Sequence, residues 1–334
     1  MLETTTAPGG EPAPVEEREL RGASIGHAAI AVPPTTITNA PIAERLGVDS
    51  AWIEQRTGIR ERRALLDGER LTDLAADAGA LAIESSGIAA DEFDLLIVAT
   101  TTQDEVTPNT APLVAGILGM SKAAPIDVGA ACTAFVSALQ VTTAQLESGR
   151  ASKALVIGAD CIHRYLDPDD RRTAALFGDG AGAVVMTASS EGRMGPIVLG
   201  SESAIDMIRI PRGGMLEMRG HETFVNAVAR ISEVTLDVVG RAGFTLDDVD
   251  LFVYHQANAR IISAVGEKLG LRRERVVDCI ARYGNTSAAS VPIALAEAEA
   301  EGRLKPGMRV LAGAFGAGFT WGGALMEWGL DDGA

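Results

Sequence analysis

Asp127-Val128-Gly129-Ala130-Ala131-Cys132-Thr133-Ala134-Phe135 is the stretch around which this chain is organised. A short apolar strand, Pro125 to Val128, leads into it. Small residues then turn the backbone, and Phe135, Leu139, Gln140, Ala144 and Leu146 follow at helical spacing. Cys132 is therefore expected at a strand-to-helix turn, near a helix N-terminus. Unpaired N–H groups and the helix dipole there favour thiolate and should lower the thiol pKa. Small neighbours leave room for an acyl group beside the sulfur, so Cys132 is a candidate nucleophile. An inert buried thiol fits the same stretch.

Composition narrows the classes. The chain has 334 residues, enough for two domains or one large α/β unit. A 47% hydrophobic content with 37 glycines and 4% aromatics implies a tightly packed core rich in Ala, Gly and Val. No run reaches the roughly 18 apolar residues of a membrane span. Met1–Glu19 lacks the apolar core of a secretory signal, and residues 1–20, with Thr4-Thr5-Thr6 and Pro12-Ala13-Pro14, read as a disordered tail. Cys132, Cys161 and Cys279 have neither metal nor disulfide spacing, which suggests a reducing cytoplasm. A net charge of −16 argues against nucleic acid, and an acidic partner would need a local basic patch.

An internal repeat sets the architecture. Gly87-Ile-Ala-Ala-Asp91-Glu-Phe-Asp94-Leu95-Leu-Ile97-Val98 recurs as Gly243-Phe-Thr-Leu-Asp247-Asp-Val-Asp250-Leu251-Phe-Val253-Tyr254. Each copy follows an amphipathic helix, Leu71–Ser85 or Phe224–Arg241, and ends in an apolar strand. At the same offset Lys153-Ala-Leu-Val matches Arg309-Val-Leu-Ala. The chain is thus expected to be two related α/β halves, roughly 21–190 and 195–331. Apolar strands alternating with helices imply mainly parallel sheets covered on both faces. Nearer the N-terminus, Ile42 to Ile53 reads as one helix, and Arg56, Arg60, Arg62 and Arg63 cluster after it. That cluster is either a charged loop or a phosphate site.

The second half adds polar groups at strand ends. Asp250–Tyr254 runs into His255-Gln256-Ala257-Asn258 before the helix Ile261–Leu269, where α/β proteins place their sites. His255 is either a reactive group or a satisfied structural histidine. Tyr283-Gly284-Asn285-Thr286-Ser287-Ala288-Ala289-Ser290 leads into the helix Pro292–Glu301, and Asn285 can serve chemistry or only the turn. The strand Val310–Ala314 ends in Phe315-Gly316-Ala317-Gly318-Phe319-Thr320-Trp321-Gly322-Gly323. Without a Lys or a following helix, that loop suits oxyanion donation better than phosphate binding. A thiolate, a His, an amide and donor N–H groups at strand ends suit decarboxylative Claisen condensation, in which His and Asn share one enolate oxygen. Neither a protease triad nor a metal site fits as well.

These motifs resemble the thiolase-fold condensing enzymes, specifically the β-ketoacyl-ACP synthase III family. The resemblance spans 21–330 and rests on Trp52-Ile-x-x-Arg56-Thr-Gly-Ile-Arg-x-Arg-Arg63, Ala131-Cys132, Asp167-Pro-x-Asp-Arg171, Phe177-Gly-Asp-Gly-Ala-Gly182, His255-Gln-Ala-Asn258, Gly284–Ser290 and Phe315–Gly322. It implies a five-layer αβαβα sandwich, a homodimer, acyl-CoA and malonyl-ACP as substrates, and no metal or redox cofactor. It makes Cys132, His255 and Asn285 catalytic, with the N–H groups of Cys132 and Ala317 as oxyanion hole. It seats CoA at Trp52, Arg56 and Arg171. Arg260, Lys268, Arg272 and Arg273 would dock the acyl carrier protein. Ile162 and Phe177 would line the acyl pocket, and Thr107 would close the pocket of the second copy.

Some positions depart from the family pattern. Thr133 and Ala134 stand where Ala and Gly are usual, Ala317 replaces a glycine, and Glu267 stands where a Lys often helps dock the carrier. Two other functions fit the resemblance: acyl transfer from Cys132 to an alcohol or amine, and a non-catalytic scaffold. Asn285 argues against the first, since simple transfer needs no enolate donor, and Cys132 argues against the second.

Overall fold

The computed structural model describes residues 22–330; the expected tail, 1–20, lies outside them. In chain order the elements are β1 (Gly22–Ala31), β2 (Thr36–Thr38), α1 (Asn39–Leu46), α2 (Ser50–Thr57), β3 (Glu61–Arg63), α3 (Leu71–Ser86), β4 (Leu95–Ala99), α4 (Thr110–Leu118), β5 (Ala124–Val128), α5 (Ala134–Glu147), β6 (Lys153–Cys161) and β7 (Asp179–Ser189). The second part holds β8 (Met194–Ser201), β9 (Ile208–Arg209), β10 (Glu217–Met218), α6 (Gly220–Arg241), β11 (Leu251–Tyr254), α7 (Ala259–Leu269), α8 (Ile280–Tyr283), α9 (Ser290–Ala300), β12 (Arg309–Gly316) and β13 (Thr320–Glu327).

Two sheets organise these elements. The first has the order β1-β7-β6-β4-β5, the second β11-β12-β13-β8. Read from the other end, β8-β13-β12-β11 repeats the order and strand senses of β1-β7-β6-β4. The sheets are mixed rather than mainly parallel. β6, β4 and β5 run parallel and so do β11 and β12, but β7 and β13 run against their neighbours. Near-continuous apolar strands report burial on both faces, which the helix layers impose whatever the strand sense. The short β12–β13 turn, Ala317–Phe319, leaves its two strands no choice but to pair antiparallel.

Three apolar cores separate five layers. α3 and α4 cover the outer face of the first sheet through Leu71, Leu74, Ala78, Val114 and the facing Leu96, Val98 and Leu155. α5 and α9 lie between the sheets, joining Phe135, Leu139, Ile293 and Leu295 to Ile97, Val156, Val253 and Ala312. α6 and α7 cover the second sheet with Ile231, Val238, Ile262 and Val265. The layer order is αβαβα. α9 is buried nearly all round, as a helix between two sheets must be, and its Ala-rich sequence permits that close approach.

The helix expected from Ile42 to Ile53 is two helices. Gly47 takes the left-handed conformation, φ +64°, and ends α1. Asp49 then caps α2, its carboxylate accepting from the Trp52 N–H at 2.6 Å. The break turns α2 so that Trp52 and Arg56 face the functional cavity.

Candidate active site

One cavity of about 1290 Å³ runs between the layers, and Cys132, His255 and Asn285 all line it. Its inner wall is buried: His255 is 1% and Asn285 5% exposed. Arg56, Arg171 and Arg172 are exposed on its rim.

Cys132 sits in a 3-10 turn between β5 and α5, directly before the helix. Ala131 before it has φ +47°, a left-handed conformation that costs of order 1 kcal/mol or more in a non-glycine residue. Hydroxyl contacts tie this turn to the β12–β13 hairpin. Thr133 Oγ1 lies 2.7 Å from the Ala130 carbonyl and 2.8 Å from Thr320 Oγ1. Thr320 Oγ1 is also 3.1 Å from the Ala317 carbonyl. This gives Thr133 a physical role in the turn. Gly316 completes the contact, since a Cβ there would meet the Cys132 nitrogen at 2.9 Å. Ala317, next in line, keeps a negative φ.

The electrostatics of Cys132 differ from the sequence expectation. Burial pushes its thiol up to about 11, against a weaker lowering by the hydroxyl of Ser287. Ser287 Oγ lies 3.5 Å from Cys132 Sγ and is aimed there by a left-handed backbone, φ +51°. Desolvation is the largest influence on this group and opposes the lowering expected from the turn.

His255 follows the last residue of β11, its N–H donating to the Gly313 carbonyl at 2.7 Å. Burial pushes its imidazole down to about 3, so the ring is neutral near pH 7. Nδ1 meets Ser290 Oγ at 2.5 Å, and Nε2 has no protein partner among the described residues. Asn285 is held by its backbone: its N–H donates to the Leu176 carbonyl and its carbonyl accepts from the Gly178 N–H. Its Oδ1 accepts from the Ser287 N–H at 2.9 Å. An amide whose oxygen is engaged by an N–H must turn its NH₂ outward, here toward the cavity.

The rim residues divide by role. Arg171 donates Nε and Nη2 to the Leu46 carbonyl, at 2.9 and 2.6 Å, at the C-terminus of α1. These two bonds fix the plane of the guanidinium and leave its flat face available for stacking. Arg56 stacks on Trp52, 4.5 Å from the ring centroid. The arginine cluster is neither of the two expected alternatives as a unit. Arg60 pairs with Glu54, Arg63 reaches the Pro33 carbonyl, and of the four only Arg56 lines the cavity. Arg62 is buried, donating to Ile37 O, Asn39 Oδ1 and Ala175 O, and burial lowers its guanidinium to about 10.

Ile162 and Phe177 are buried beside Leu216, Ile210 and Met218 on the cavity wall. Thr107 is exposed and is not on the wall of its own cavity. Arg260 lines the cavity with its guanidinium 5.8 Å from the Phe224 ring, and Arg272 lies 3.4 Å from Glu274. Lys268 and Arg273 are exposed, and no ion pair is formed by either among the described residues. The sequence reading missed Ser287, Ser290 and Thr320 as site residues, and Arg212 as part of the cavity lining. The two serines had a signal, being hydroxyls in the same polar turn as Asn285; Arg212 and Thr320 had none.

Sheet order, layers and a cavity with Cys, His and Asn at the ends of β5, β11 and α8 define a thiolase-fold condensing enzyme. Family comparison makes this specific. The model for 3-oxoacyl-[acyl-carrier-protein (ACP)] synthase III matches residues 126–203, and that for its C-terminal part matches 239–328. Beta-ketoacyl-[acyl-carrier-protein] synthase III 2 of Streptomyces coelicolor is 45% identical over 312 residues, 92% of this chain and 94% of that protein. The crystal structure of 3-oxoacyl-(acyl carrier protein) synthase III from Pseudomonas aeruginosa superposes with a TM-score of 0.89 at 38% identity, covering 93% and 99% of the two chains. The priming β-ketosynthase of the R1128 polyketide pathway superposes with 0.90 at 31% identity, covering 94% and 98%. The chain belongs to the β-ketoacyl-ACP synthase III family.

Proposed function

We propose that this acyltransferase condenses an acyl-CoA starter with malonyl-ACP through an acyl-Cys132 intermediate, in fatty-acid or polyketide initiation. The observation that carries this is the pair of polar ends, His255 Nε2 and Asn285 Nδ2, without partners among the described residues, on the cavity wall that also holds Cys132. In the first half-reaction Cys132 Sγ attacks the acyl-CoA carbonyl and loses its proton. The tetrahedral oxyanion takes hydrogen bonds from the Cys132 and Ala317 N–H groups, and the C–S bond to CoA breaks as CoA leaves as its thiol. In the second, His255 and Asn285 donate to the malonyl thioester oxygen. The C–CO₂ bond breaks, its electron pair becomes the enolate, and CO₂ departs. The enolate carbon bonds to the acyl carbon, the bond to Cys132 Sγ breaks to release the thiolate, and a proton taken up from solvent restores the thiol. These steps balance without metal or redox chemistry.

The binding roles follow the rim. Trp52 and Arg171 hold the CoA adenine with Arg56 beside it. Arg260, Lys268, Arg272 and Arg273 receive the acidic carrier protein, with Lys268 and Arg273 exposed and, among the described residues, not offset by a pairing carboxylate. Ile162 and Phe177 hold the acyl chain. The enzyme works as a cytoplasmic homodimer of two duplicated halves, 21–190 and 195–331. Support for the dimer is β5, a sheet edge with Ile126 exposed at 40% and unpaired backbone groups suited to a second copy. No helix among the described residues is long and apolar enough to cross a membrane.

Incubation with acyl-CoA and malonyl-ACP, followed by intact-mass analysis, tests the reaction. Expected are an acyl adduct on the enzyme and a β-ketoacyl adduct on the carrier. Acyl transfer to an added alcohol or amine, without loss of CO₂, overturns condensation.

A further inference from the structure

Condensation requires His255 to present a proton, not a lone pair, to the thioester oxygen. A neutral imidazole carries one proton, on Nδ1 or on Nε2. Nothing in the ring decides between them; its neighbours do.

The neighbour here is Ser290, the first residue of α9, whose Oγ lies 2.5 Å from His255 Nδ1. Both side chains are 1% exposed, so neither replaces a lost partner with bulk water. In the Nδ1–H tautomer, the ring donates to Ser290 Oγ, and the serine's own proton needs another acceptor. Among the described residues Ser290 Oγ has none. That tautomer buries an unpaired hydroxyl proton, which disfavours it by roughly fivefold to over a hundredfold. In the Nε2–H tautomer the hydroxyl donates to Nδ1 and every buried proton is placed, with Nε2–H left for the cavity.

We propose that Ser290 is a positioning residue, whose hydroxyl donates to His255 Nδ1 and thereby keeps the imidazole proton on Nε2, facing the substrate. A corollary is that Nε2 has no lone pair with which to deprotonate Cys132. His255 then serves the enolate and not the nucleophile. The kinetic consequence rests on the condensation reading above; the tautomer does not.

The test combines spectroscopy with kinetics on the full-length enzyme. Long-range ¹H–¹⁵N correlation on protein carrying ¹⁵N-histidine resolves four histidines, with His255 assigned by its loss in His255→Gln. The wild type should show the Nε2–H pattern. Ser290→Ala should show mixed or Nδ1–H signals, and malonyl-ACP decarboxylation should fall roughly tenfold or more, as for other groups that fix a tautomer. Self-acylation by acyl-CoA should stay within about twofold, consistent with a group acting only on the second half-reaction. Ser290→Cys, similar in volume and a weak donor, makes the same comparison if the alanine variant does not fold, and Ser290→Thr should restore the wild-type pattern. A wild-type Nδ1–H tautomer overturns the proposal. So does a variant that keeps Nε2–H, or one that changes tautomer with no loss of decarboxylation. Failure of the condensation reading would leave the enzyme without decarboxylation but with the Nε2–H pattern intact, so the two failures are distinguishable.

Discussion

The Ser287 N–H donates to Asn285 Oδ1 at 2.9 Å, and this bond decides which end of the amide meets the substrate. Ser287 is also the residue whose hydroxyl reaches Cys132, so one left-handed residue orients both a donor and the nucleophile. In Asn285→Asp one oxygen keeps the Ser287 N–H and the other puts negative charge where an enolate must form. Decarboxylation should fall by more than the roughly 10²–10³ expected for simple loss of a donor. Self-acylation should be largely retained. Stopped-flow release of CO₂ beside intact-mass acylation checks this, and equal loss in both half-reactions would refute the assignment.

Cys132 should be the sole site of acylation, and Cys132→Ala should abolish it. Cys161 and Cys279 are buried away from the cavity, and burial holds both thiols near 12. Because the Cys132 thiol lies at about 11, iodoacetamide labelling should rise about tenfold per unit between pH 7 and 9. A plateau near pH 7 would show instead that the helix N-terminus dominates.

Gly316→Ala should impair both half-reactions while leaving the fold intact. Its Cβ would sit 2.9 Å from the Cys132 nitrogen and 3.0 Å from Cys132 Cβ, so the hairpin must withdraw. Overpacking of this kind costs typically about 1–3 kcal/mol of stability. Displacing the Ala317 N–H from the oxyanion should cost roughly 10²–10³ in acylation rate. Wild-type acylation at reduced melting temperature would mean that Ala317 is no oxyanion donor.

His255 should make the protein acid-sensitive. Its pKa falls from 6.5 to about 3 on folding, so the unfolded chain takes up a proton that the folded one refuses. Its contribution is fully present above pH 6.5 and is lost as pH falls toward 3. Urea unfolding at pH 8, 6 and 4.5 should show a steeper loss for wild type than for His255→Gln. Parallel pH profiles would place the ring in contact with water.

The starter should be larger than acetyl. Thr107 is exposed on its own subunit, where a dimer can present it to the other cavity, and it is far smaller than Phe. Each methylene accommodated is worth up to about 0.8 kcal/mol, about fourfold in specificity. We expect kcat/KM to rise from acetyl- to isobutyryl- or hexanoyl-CoA, and Thr107→Phe to reverse the order. Preference for acetyl-CoA in the wild type, unchanged by the substitution, would transfer the pocket floor to Ile162 and Phe177.

Much of the molecule was legible in its sequence because it depends on neighbours along the chain. Strand, small-residue turn and helix around Cys132 follow from periodicity, and so does the strand end that carries His255, whereas Asn285 follows the short helix α8 and not a strand. The recurrence of Gly87–Val98 as Gly243–Tyr254 anticipated two similar sheets. What sequence could not carry was set by groups brought together from far apart. Strand sense came out mixed, since helix layers bury either sense alike. Burial by elements distant in sequence pushes the Cys132 thiol up, an influence the local turn does not contain. Arg62 left its cluster for a buried site between Asn39 and Ala175. The proton of His255 answers to Ser290, the amide of Asn285 to Ser287, and the approach of β12 to Gly316. Protonation and hydrogen-bond direction are properties of an enclosed site, where every donor must find an acceptor, and only the tertiary structure says which ones are there.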